Sequence, residues 1–310
     1  MERVISFSEI QNAVVGAYEK FKSSKEGAVD SRVAGESKAG VFGISLVLTD
    51  GRRVDKGDAE IQAPLGPVAK VPLSVVLLSQ NTPDELAKKA VCCCGKSGCK
   101  CGCKADMPFG RHGLRAVSAV VPQGDPDGKF AVITDMIYAL SNADQGFSDS
   151  LYKYLADKAK EDKVADLLSE EGYKLYDDAA QSMDVYERLL SVKLSAAEVA
   201  TMGATIAADG RNPKTGEYAF DGKNAASVVA LMATRGKHFI KPWMVRTGLP
   251  AKKSYTGMMI AILPGFGAIA AYSPEIDEKG VPVKASAAIA DIAQKLGLNV
   301  FASARVTAGK

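Results

Sequence analysis

Hydrophobic residues near the start of the chain recur at the spacing of an α-helix. Ile10, Val14, Ala17 and Phe21 lie three or four positions apart, so one helical face is apolar and the other polar. This pattern predicts an amphipathic helix over residues 7–23.

Further helical patterns follow through the middle and end of the chain. The apolar run VPLSVVLL predicts a buried helix over 69–79. Ser195 with Glu198 three positions later is typical of a capping box, which predicts a helix over 195–208. The other predicted helices cover 148–160, 161–171, 223–234 and 284–296.

Strand patterns are concentrated at the two ends of the chain. VFGISLVLTDGRRVDKGD (41–58) predicts a hairpin that turns at Asp50-Gly51. Runs at 257–263 and 267–272 predict two further strands, and GRNPKTGEY (210–218) predicts a turn. Because strand-rich ends flank a helical middle, we predict an α/β fold. Residues 1–80 and 223–310 form an antiparallel sheet flanked by helices in this prediction, and 81–222 form a mainly helical subdomain.

The composition is that of a globular protein. The chain has 310 residues, of which 47% are hydrophobic and 24% charged, and its net charge is +3. This charge is too small to indicate nucleic acid as a partner. The longest apolar stretch, Met258 to Tyr272, is broken by Pro264 and two glycines, and the N-terminus lacks a secretory signal. We therefore predict a soluble protein of the cytoplasm or of an organelle, such as the plastid stroma after removal of a transit peptide.

All six cysteines lie in one short Cys/Gly/Lys-rich segment at 91–106. Such close spacing cannot tie distant segments together as a disulfide framework does, so we predict a reducing compartment. Thiolates at this density are candidate ligands for Zn(II) or Cu(I). A mobile or partner-docking loop, local disulfides and a thioether-linked prosthetic group are the alternatives. The residues are Cys92, Cys93, Cys94, Cys99, Cys101 and Cys103.

Three other sequence patterns do not indicate a binding site. CGKSGC is not a phosphate-binding loop, because Ala90 stands where that motif needs a glycine. Gly265-x-Gly267 leads into a strand and not into the helix that a dinucleotide site requires. His112 and His238 lack the spacing of metal ligands.

Three long segments carry a resemblance to a known family. They are EVATMGATIAADGRNPKTGE (198–217), LMATRGKH (231–238) and VRTGLPAKKSYTGMMIAILPGFGAIAAYSPEID (245–277). They resemble the serine-dependent glutaminases of the penicillin-recognising, β-lactamase-like superfamily, and ISLVLTDGRRVDKGDAEIQ (44–62) resembles the strands before that family's catalytic helix. The resemblance covers roughly 41–80 and 130–300. It implies the β-lactamase-like fold and no cofactor.

The resemblance also implies where the catalytic residues lie. The family opens its central helix with Ser-x-x-Lys, in which the serine attacks the glutamine amide and the lysine accepts its proton. Here the run is IQAPLGPVAK: Lys70 is present, but Pro67 occupies the nucleophile position. Proline has neither a hydroxyl nor an N–H. Tyr186 matches a family tyrosine that assists proton transfer. These residues are predicted to be vestigial, and Ser74 is a weak candidate for a substitute nucleophile beside Lys70.

Other positions of the resemblance differ from the family pattern. His238 replaces a tyrosine, and the bulky Tyr255, Thr256 and Met258 replace small residues, which predicts a filled pocket. The remaining substrate-binding positions of the family fall near Asp127, Tyr154, Glu161 and the tripeptide Gly280-Val281-Pro282.

From these replacements we predict a non-catalytic pseudoenzyme, a structural, scaffolding or linker subunit that contacts other protein subunits and forms a homo-oligomer. The first alternative is a divergent amidohydrolase, a glutaminase that uses Lys70. The second is a metal-binding or redox protein that operates through the Cys92–Cys103 segment.

Overall fold

A computed structural model describes residues 2–90, 113–161, 175–234 and 239–309. Within them two 3₁₀ turns cover Gly66–Ala69 and Gly222–Asn224. The α-helices are α1 (Phe7–Phe21), α2 (Lys70–Gln80), α3 (Pro83–Ala90), α4 (Gly113–Ser118), α5 (Pro126–Ser141), α6 (Asp149–Glu161), α7 (Ala179–Ser191), α8 (Ala196–Ala207), α9 (Ala225–Thr234), α10 (Ile240–Thr247) and α11 (Val283–Leu296).

The strands are short except at the centre of the molecule. They are β1 (Glu2–Ile5), β2 (Ala28–Val29), β3 (Gly43–Leu48), β4 (Arg53–Gly57), β5 (Ala63–Pro64), β6 (Gly146–Phe147), β7 (Val192–Leu194), β8 (Ala251–Lys253), β9 (Met258–Leu263), β10 (Gly267–Tyr272), β11 (Glu275–Ile276) and β12 (Arg305–Ala308).

The central sheet is antiparallel, with the strand order β4-β3-β10-β9-β8 in the part of the chain that the structure describes. Strand β10 pairs with both β3 and β9. Gly267, its first residue, lies opposite Leu48 of β3 and opposite Leu263 of β9. The two ends of the chain therefore meet in one sheet, as the distribution of strand patterns predicts.

Helices cover both faces of this sheet. Helix α8 packs on one face, together with α2, α5 and α7, and Ile260 and Ala268 point into this core. Helices α1 and α11 pack on the other face, where Leu46 and Ile269 are buried. Since both faces are covered, every residue of β3 and β10 is buried.

Local sequence explains where the main helices begin and end. Ser6 with Glu9 and Ser195 with Glu198 form complete capping boxes at the starts of α1 and α8. Gly297 ends α11 in the left-handed conformation, which glycine adopts without strain.

The structure confirms the fold class and most of the predicted elements. The helices predicted over 7–23, 69–79, 195–208, 223–234 and 284–296 and the hairpin at Asp50-Gly51 are present within a few residues of their predicted bounds. The helix predicted over 161–171 lies almost entirely outside the described residues. The division into 1–80 with 223–310 and 81–222 stays a prediction; α8 belongs to its helical part but packs directly on the sheet.

None of the described helices is both long and apolar enough to cross a bilayer.

Candidate functional site

Lys70 is the first residue of α2 and is almost completely buried, with 5% of its surface exposed. The 3₁₀ turn before it has Pro67 at its start, where the missing N–H of proline costs nothing. The backbone N–H of Lys70 donates to the carbonyl of Pro67, so the turn continues directly into the helix. The sequence therefore places Lys70 one turn after Pro67 on a continuous helical path.

Tyr186 of α7 is the aromatic neighbour of Lys70. The ammonium nitrogen of Lys70 lies 5.3 Å from the centre of the Tyr186 ring, within the range of a cation–π contact. Helix α4 approaches this ring so closely that a methyl group added to Gly113 would lie 2.5 Å from Tyr186 Cε2. Helices α2, α4 and α7 thus hold the two predicted residues together.

The segment after β8 forms a wall beside Gly66, in the 3₁₀ turn before α2. A methyl group on Gly66 would lie 2.4 Å from Ser254 Oγ, and Gly66 has a positive φ of 49°. Ser254 Oγ accepts hydrogen bonds from the backbone N–H of Thr256 at 3.1 Å and from Thr256 Oγ1 at 2.7 Å. Glycine at position 66 therefore permits the close approach of the 3₁₀ turn before α2 and the β8–β9 connection.

Tyr255 links this wall to a pair of charged residues. The Arg32 guanidinium lies 3.5 Å above the centre of the Tyr255 ring, and Arg32 is paired with Asp30 at 2.6 Å. Burial raises the pKa of the Tyr255 hydroxyl well above its ordinary value, and the charge of Arg32 opposes this shift in part. The tyrosine is therefore protonated at neutral pH and can donate a hydrogen bond.

Lys253 brings a further amine to the same region. Its Nζ donates to the backbone carbonyls of Lys279 and Gly280 at 2.8 and 2.7 Å. Burial is the main reason that the pKa of Lys253 is lowered; the charge of Arg32 also lowers it, and Asp277 opposes the shift. The Lys253 amine therefore lies within electrostatic range of Arg32 and Asp277.

One expectation about the site needs correction. Ser74 is not a nucleophile paired with the Lys70 amine, because its buried hydroxyl donates to the Lys70 backbone carbonyl at 2.6 Å. The filling of the pocket by Tyr255, Thr256 and Met258 stays a prediction; Thr256 bonds to Ser254, and Met258 lies in the hydrophobic core.

The remaining sequence candidates lie in different places. Asp127 is exposed on α5 and pairs with Arg188 at 2.7 Å, whereas Tyr154 contributes to the electrostatic surroundings of Arg32 and Tyr255. His112, His238 and the segment from Cys92 to Cys103 lie outside the described residues. Metal binding by the cysteines therefore stays a prediction; among the described residues no group of three or more His, Cys, Asp or Glu side chains could hold a metal ion.

Arg32 is the functional candidate that sequence reasoning missed, because residues 23–40 have the composition of a loop. One pattern would have drawn attention to it: Asp30-x-Arg32 has the same spacing as Asp50-x-Arg52 in the hairpin turn. In both places the aspartate accepts from the backbone N–H and the guanidinium of the arginine two residues later.

Comparison with known proteins identifies the family of the chain. The family model for Glutaminase matches residues 34–301. The chain belongs to the glutaminase family. It is similar to glutaminases from Parabacteroides distasonis (29% identity) and Bacteroides fragilis (30% identity), with 99% of both chains covered in each case.

Solved glutaminase structures agree with the fold as well. The structure described as probable glutaminase ybaS superposes with a TM-score of 0.83 at 27% identity and covers 96% of this chain and 99% of that one. The predicted family and the β-lactamase-like fold are therefore confirmed.

The prediction of a non-catalytic pseudoenzyme with a structural or scaffolding role is wrong. Proteins that match the chain from end to end are named glutaminases, which favours the first alternative, a divergent glutaminase. Replacing the serine by Pro67 removes one nucleophile, but it leaves Lys70 and Tyr186 in contact at the head of α2.

Proposed function

We propose that this protein hydrolyses the side-chain amide of glutamine, or of a closely related primary amide, to the carboxylic acid and ammonia. The observation that carries the proposal is the contact between the buried Lys70 amine and the Tyr186 ring at 5.3 Å, on a glutaminase-family scaffold. An amine beside a phenol at the start of a helix is suited to accept a proton and return it during amide hydrolysis.

The nucleophile in this proposal is a water molecule, since Pro67 offers no hydroxyl. Lys70 accepts a proton from the water as the water oxygen attacks the carboxamide carbon. The tetrahedral intermediate then loses its nitrogen, which takes a proton from Lys70 or Tyr186 and leaves as ammonia. One water is consumed, and the acid and one ammonia are formed, so the atoms balance.

Ammonia release from L-glutamine by the purified full chain tests the proposal. Lys70→Arg keeps the positive charge but removes the base, because an arginine stays protonated at neutral pH. We expect kcat to fall by about two orders of magnitude or more, which is the usual contribution of general base catalysis.

Lys129→Arg is the matched control, because Lys129 is another buried lysine, 1% exposed, and its ion pair is with Asp177. It should keep most of its turnover at a temperature where circular dichroism shows that both variants are folded. A folded wild type that releases no ammonia would contradict the proposal.

Three expectations about the surroundings of the protein are carried forward as proposals. Association with other protein subunits or with copies of itself is tested by light scattering on the purified chain. Residence in a reducing compartment of the cytoplasm or an organelle is tested by counting alkylated thiols after rapid quenching. Zn(II) or Cu(I) at the cysteine segment is tested by elemental analysis of protein purified without chelator.

A further inference from the structure

An open cleft of about 390 Å³ lies among β6, α5, α6 and α7. This volume is within the roughly 300–1,000 Å³ that small-molecule sites occupy. Three aromatic rings, two carboxylates and one guanidinium surround the cleft. The residues are Phe130, Phe147, Asp149, Tyr152, Asp184 and Arg188. Apolar walls with a few charged groups are the usual composition of a ligand site.

The cleft faces away from the proposed catalytic pair. Residues two positions apart point to nearly opposite sides of a helix. Arg188 of α7 is two positions after Tyr186, whose ring contacts the catalytic lysine. Tyr152 of α6 is two positions before Tyr154, which acts electrostatically on Tyr255. The cleft is therefore a separate feature on the other faces of α6 and α7.

Arg188 is held in place but keeps part of its set of donors. Its guanidinium lies 4.2 Å from the centre of the Phe130 ring. Nη1 donates to Asp127 at 2.7 Å and to Asp184 at 3.5 Å. A guanidinium has five N–H donors in a rigid plane, and Nε and Nη2 of Arg188 donate to no group in the part of the chain that the structure describes. This free edge is suited to two-point recognition of a carboxylate.

The two carboxylates of the cleft are in different states. Asp184 Oδ1 accepts from the Tyr152 hydroxyl at 2.6 Å, and this hydrogen bond is the main reason that the pKa of Tyr152 is raised to about 12. Asp184 Oδ2 accepts from Arg188, so both oxygens are engaged. Asp149, the first residue of α6, forms no hydrogen bond or ion pair with any of the residues described. It is the free acid of the cleft.

Asp149 and Arg188 have opposite charges and line the same cleft, yet they form no ion pair with each other in the described structure. Their charged atoms are therefore more than the 4 Å of an ion pair apart. A ligand with one negative and one positive group can span this gap and contact both side chains. A ligand with a single charge leaves one of them without a partner.

Phe147 and Tyr152 form an apolar wall next to these charges. Their ring centres are 5.9 Å apart and their planes are tilted by 53°. Phe147 is 39% exposed, which leaves much of its ring in contact with water. Packing of an apolar group against this wall removes that surface from water, which is favourable.

We propose that this cleft binds a free α-amino acid with an apolar or aromatic side chain. The ligand carboxylate pairs with the free edge of Arg188, its ammonium pairs with Asp149, and its side chain packs against Phe147 and Tyr152. The site goes beyond the proposed function, because none of its residues belongs to the catalytic pair.

Isothermal titration of the full chain with L-phenylalanine tests the proposal. We expect Arg188→Gln and Asp149→Asn each to weaken binding about tenfold to a hundredfold, as the loss of a charge-assisted hydrogen bond does. Arg188→Lys keeps the charge but loses the fork, so its affinity should be intermediate. Phe147→Ala should weaken binding by a smaller factor, because part of the apolar wall remains.

The chain contains a matched control for each charge. Arg52 also lies over a phenylalanine, Phe7, and pairs with an aspartate, Asp50, and its exposure of 29% is close to the 23% of Arg188. Asp157 is an exposed aspartate of α6. Neither Arg52 nor Asp157 lines the cleft. Arg52→Gln and Asp157→Asn should therefore bind L-phenylalanine like the wild type.

Two fragments of the ligand separate the contributions of its charged groups. Phenethylamine lacks the carboxylate and hydrocinnamate lacks the ammonium, so each should bind the wild type at least about tenfold more weakly than L-phenylalanine in an NMR titration. Arg188→Gln should leave the affinity for phenethylamine unchanged, and Asp149→Asn should leave the affinity for hydrocinnamate unchanged.

Three results would overturn the proposal. The first is a folded wild type that does not bind L-phenylalanine at millimolar concentration. The second is binding that Arg188→Lys, Arg188→Gln and Asp149→Asn leave at the level of the Arg52→Gln and Asp157→Asn controls. The third is phenethylamine or hydrocinnamate binding as tightly as L-phenylalanine, which would identify a site for a simple organic cation or anion.

Discussion

The ammonium nitrogen of Lys70 lies 5.3 Å from the centre of the Tyr186 ring, although the two residues belong to helices far apart in the sequence. Lys70 begins α2 and Tyr186 lies in the middle of α7, and Gly113 of α4 lets the ring approach closely. The contact depends on the packing of three helices. It is therefore the feature on which the proposed chemistry is most directly tested.

Tyr186→Phe removes the hydroxyl and keeps the aromatic ring, so it tests the hydroxyl alone. The phenylalanine keeps the contact with Lys70 but cannot donate or accept a proton, so we expect kcat for glutamine to fall about tenfold to a hundredfold with little change in KM. Thermal unfolding should change by a few degrees at most. Tyr138→Phe, at a half-exposed position on α5, is the control and should leave both constants unchanged. Equal kcat values in the two variants would exclude a role for the Tyr186 hydroxyl.

Pro67→Ser restores a hydroxyl to the position that precedes Lys70 by three residues. In a 3₁₀ turn the side chains at i and i+3 point the same way, so the new hydroxyl should face the Lys70 amine. We expect turnover of glutamine to rise by about tenfold and to proceed through a covalent acyl-enzyme. The measurement is ammonia release with hydroxylamine present, which should divert the variant, but not the wild type, to the hydroxamate.

Pro67→Ala is the control for the loss of the proline ring. It should show no covalent intermediate and no gain in turnover. If Pro67→Ser and Pro67→Ala behave alike, the residue at 67 does not occupy the nucleophile position.

The elements that could be predicted from the sequence are those with their own local pattern. Ser195 and Glu198 define the start of α8 because a capping box involves only neighbouring residues. Asp50-Gly51 likewise defines the hairpin between β3 and β4. Helix α10 was not predicted, since Pro242 and the short apolar spacing of residues 240–247 resemble a loop, and packing against α9 and α11 stabilises it.

The site could be predicted only in part, for a similar reason. Lys70 and Tyr186 follow from their motifs, but their contact requires the tertiary packing of α2, α4 and α7. Arg32 has no motif of its own in a loop segment, and its stacking on Tyr255 joins residues from opposite ends of the chain. The activity could not be predicted from position 67 alone, because Lys70 and Tyr186 remain in contact when the hydroxyl is missing.

Gly66→Ala tests the close approach between the turn before α2 and the segment after β8. The added methyl group would overlap Ser254 Oγ at 2.4 Å and Thr256 Cγ2 at 2.8 Å, in a backbone conformation with φ of 49°. We expect the free energy of unfolding to fall by about 2 kcal/mol, from steric overlap and backbone strain together. Gly35→Ala is the matched control, because nothing lies within 4 Å of its added methyl group. Urea unfolding that shows equal stability for the two variants would contradict the close packing.

Glu187→Gln tests a buried carboxyl group next to Tyr186 in the sequence of α7. Glu187 is 6% exposed and its Oε1 has no hydrogen-bond partner among the described residues. Burial, with a smaller contribution from Asp184 and against the effect of Lys160, raises the pKa of Glu187 to about 7. Its pKa in the unfolded chain is near the ordinary 4.5, so the folded protein binds the proton more tightly.

The direction of the pH dependence follows from this difference. The stability contributed by protonated Glu187 is fully present below about pH 4.5 and is lost as the pH rises through 7, because the folded state must then hold a buried charge. Glutamine imitates the protonated form. We therefore expect Glu187→Gln to unfold with the same free energy as the wild type at pH 4.5, but to be more stable by about 2 kcal/mol at pH 8.5. Glu217→Gln, at an exposed position, should follow the wild type at both values. Urea unfolding at the two pH values measures the effect, and a Glu187→Gln variant that shows no gain at high pH would mean that the carboxylate is solvated or paired in solution.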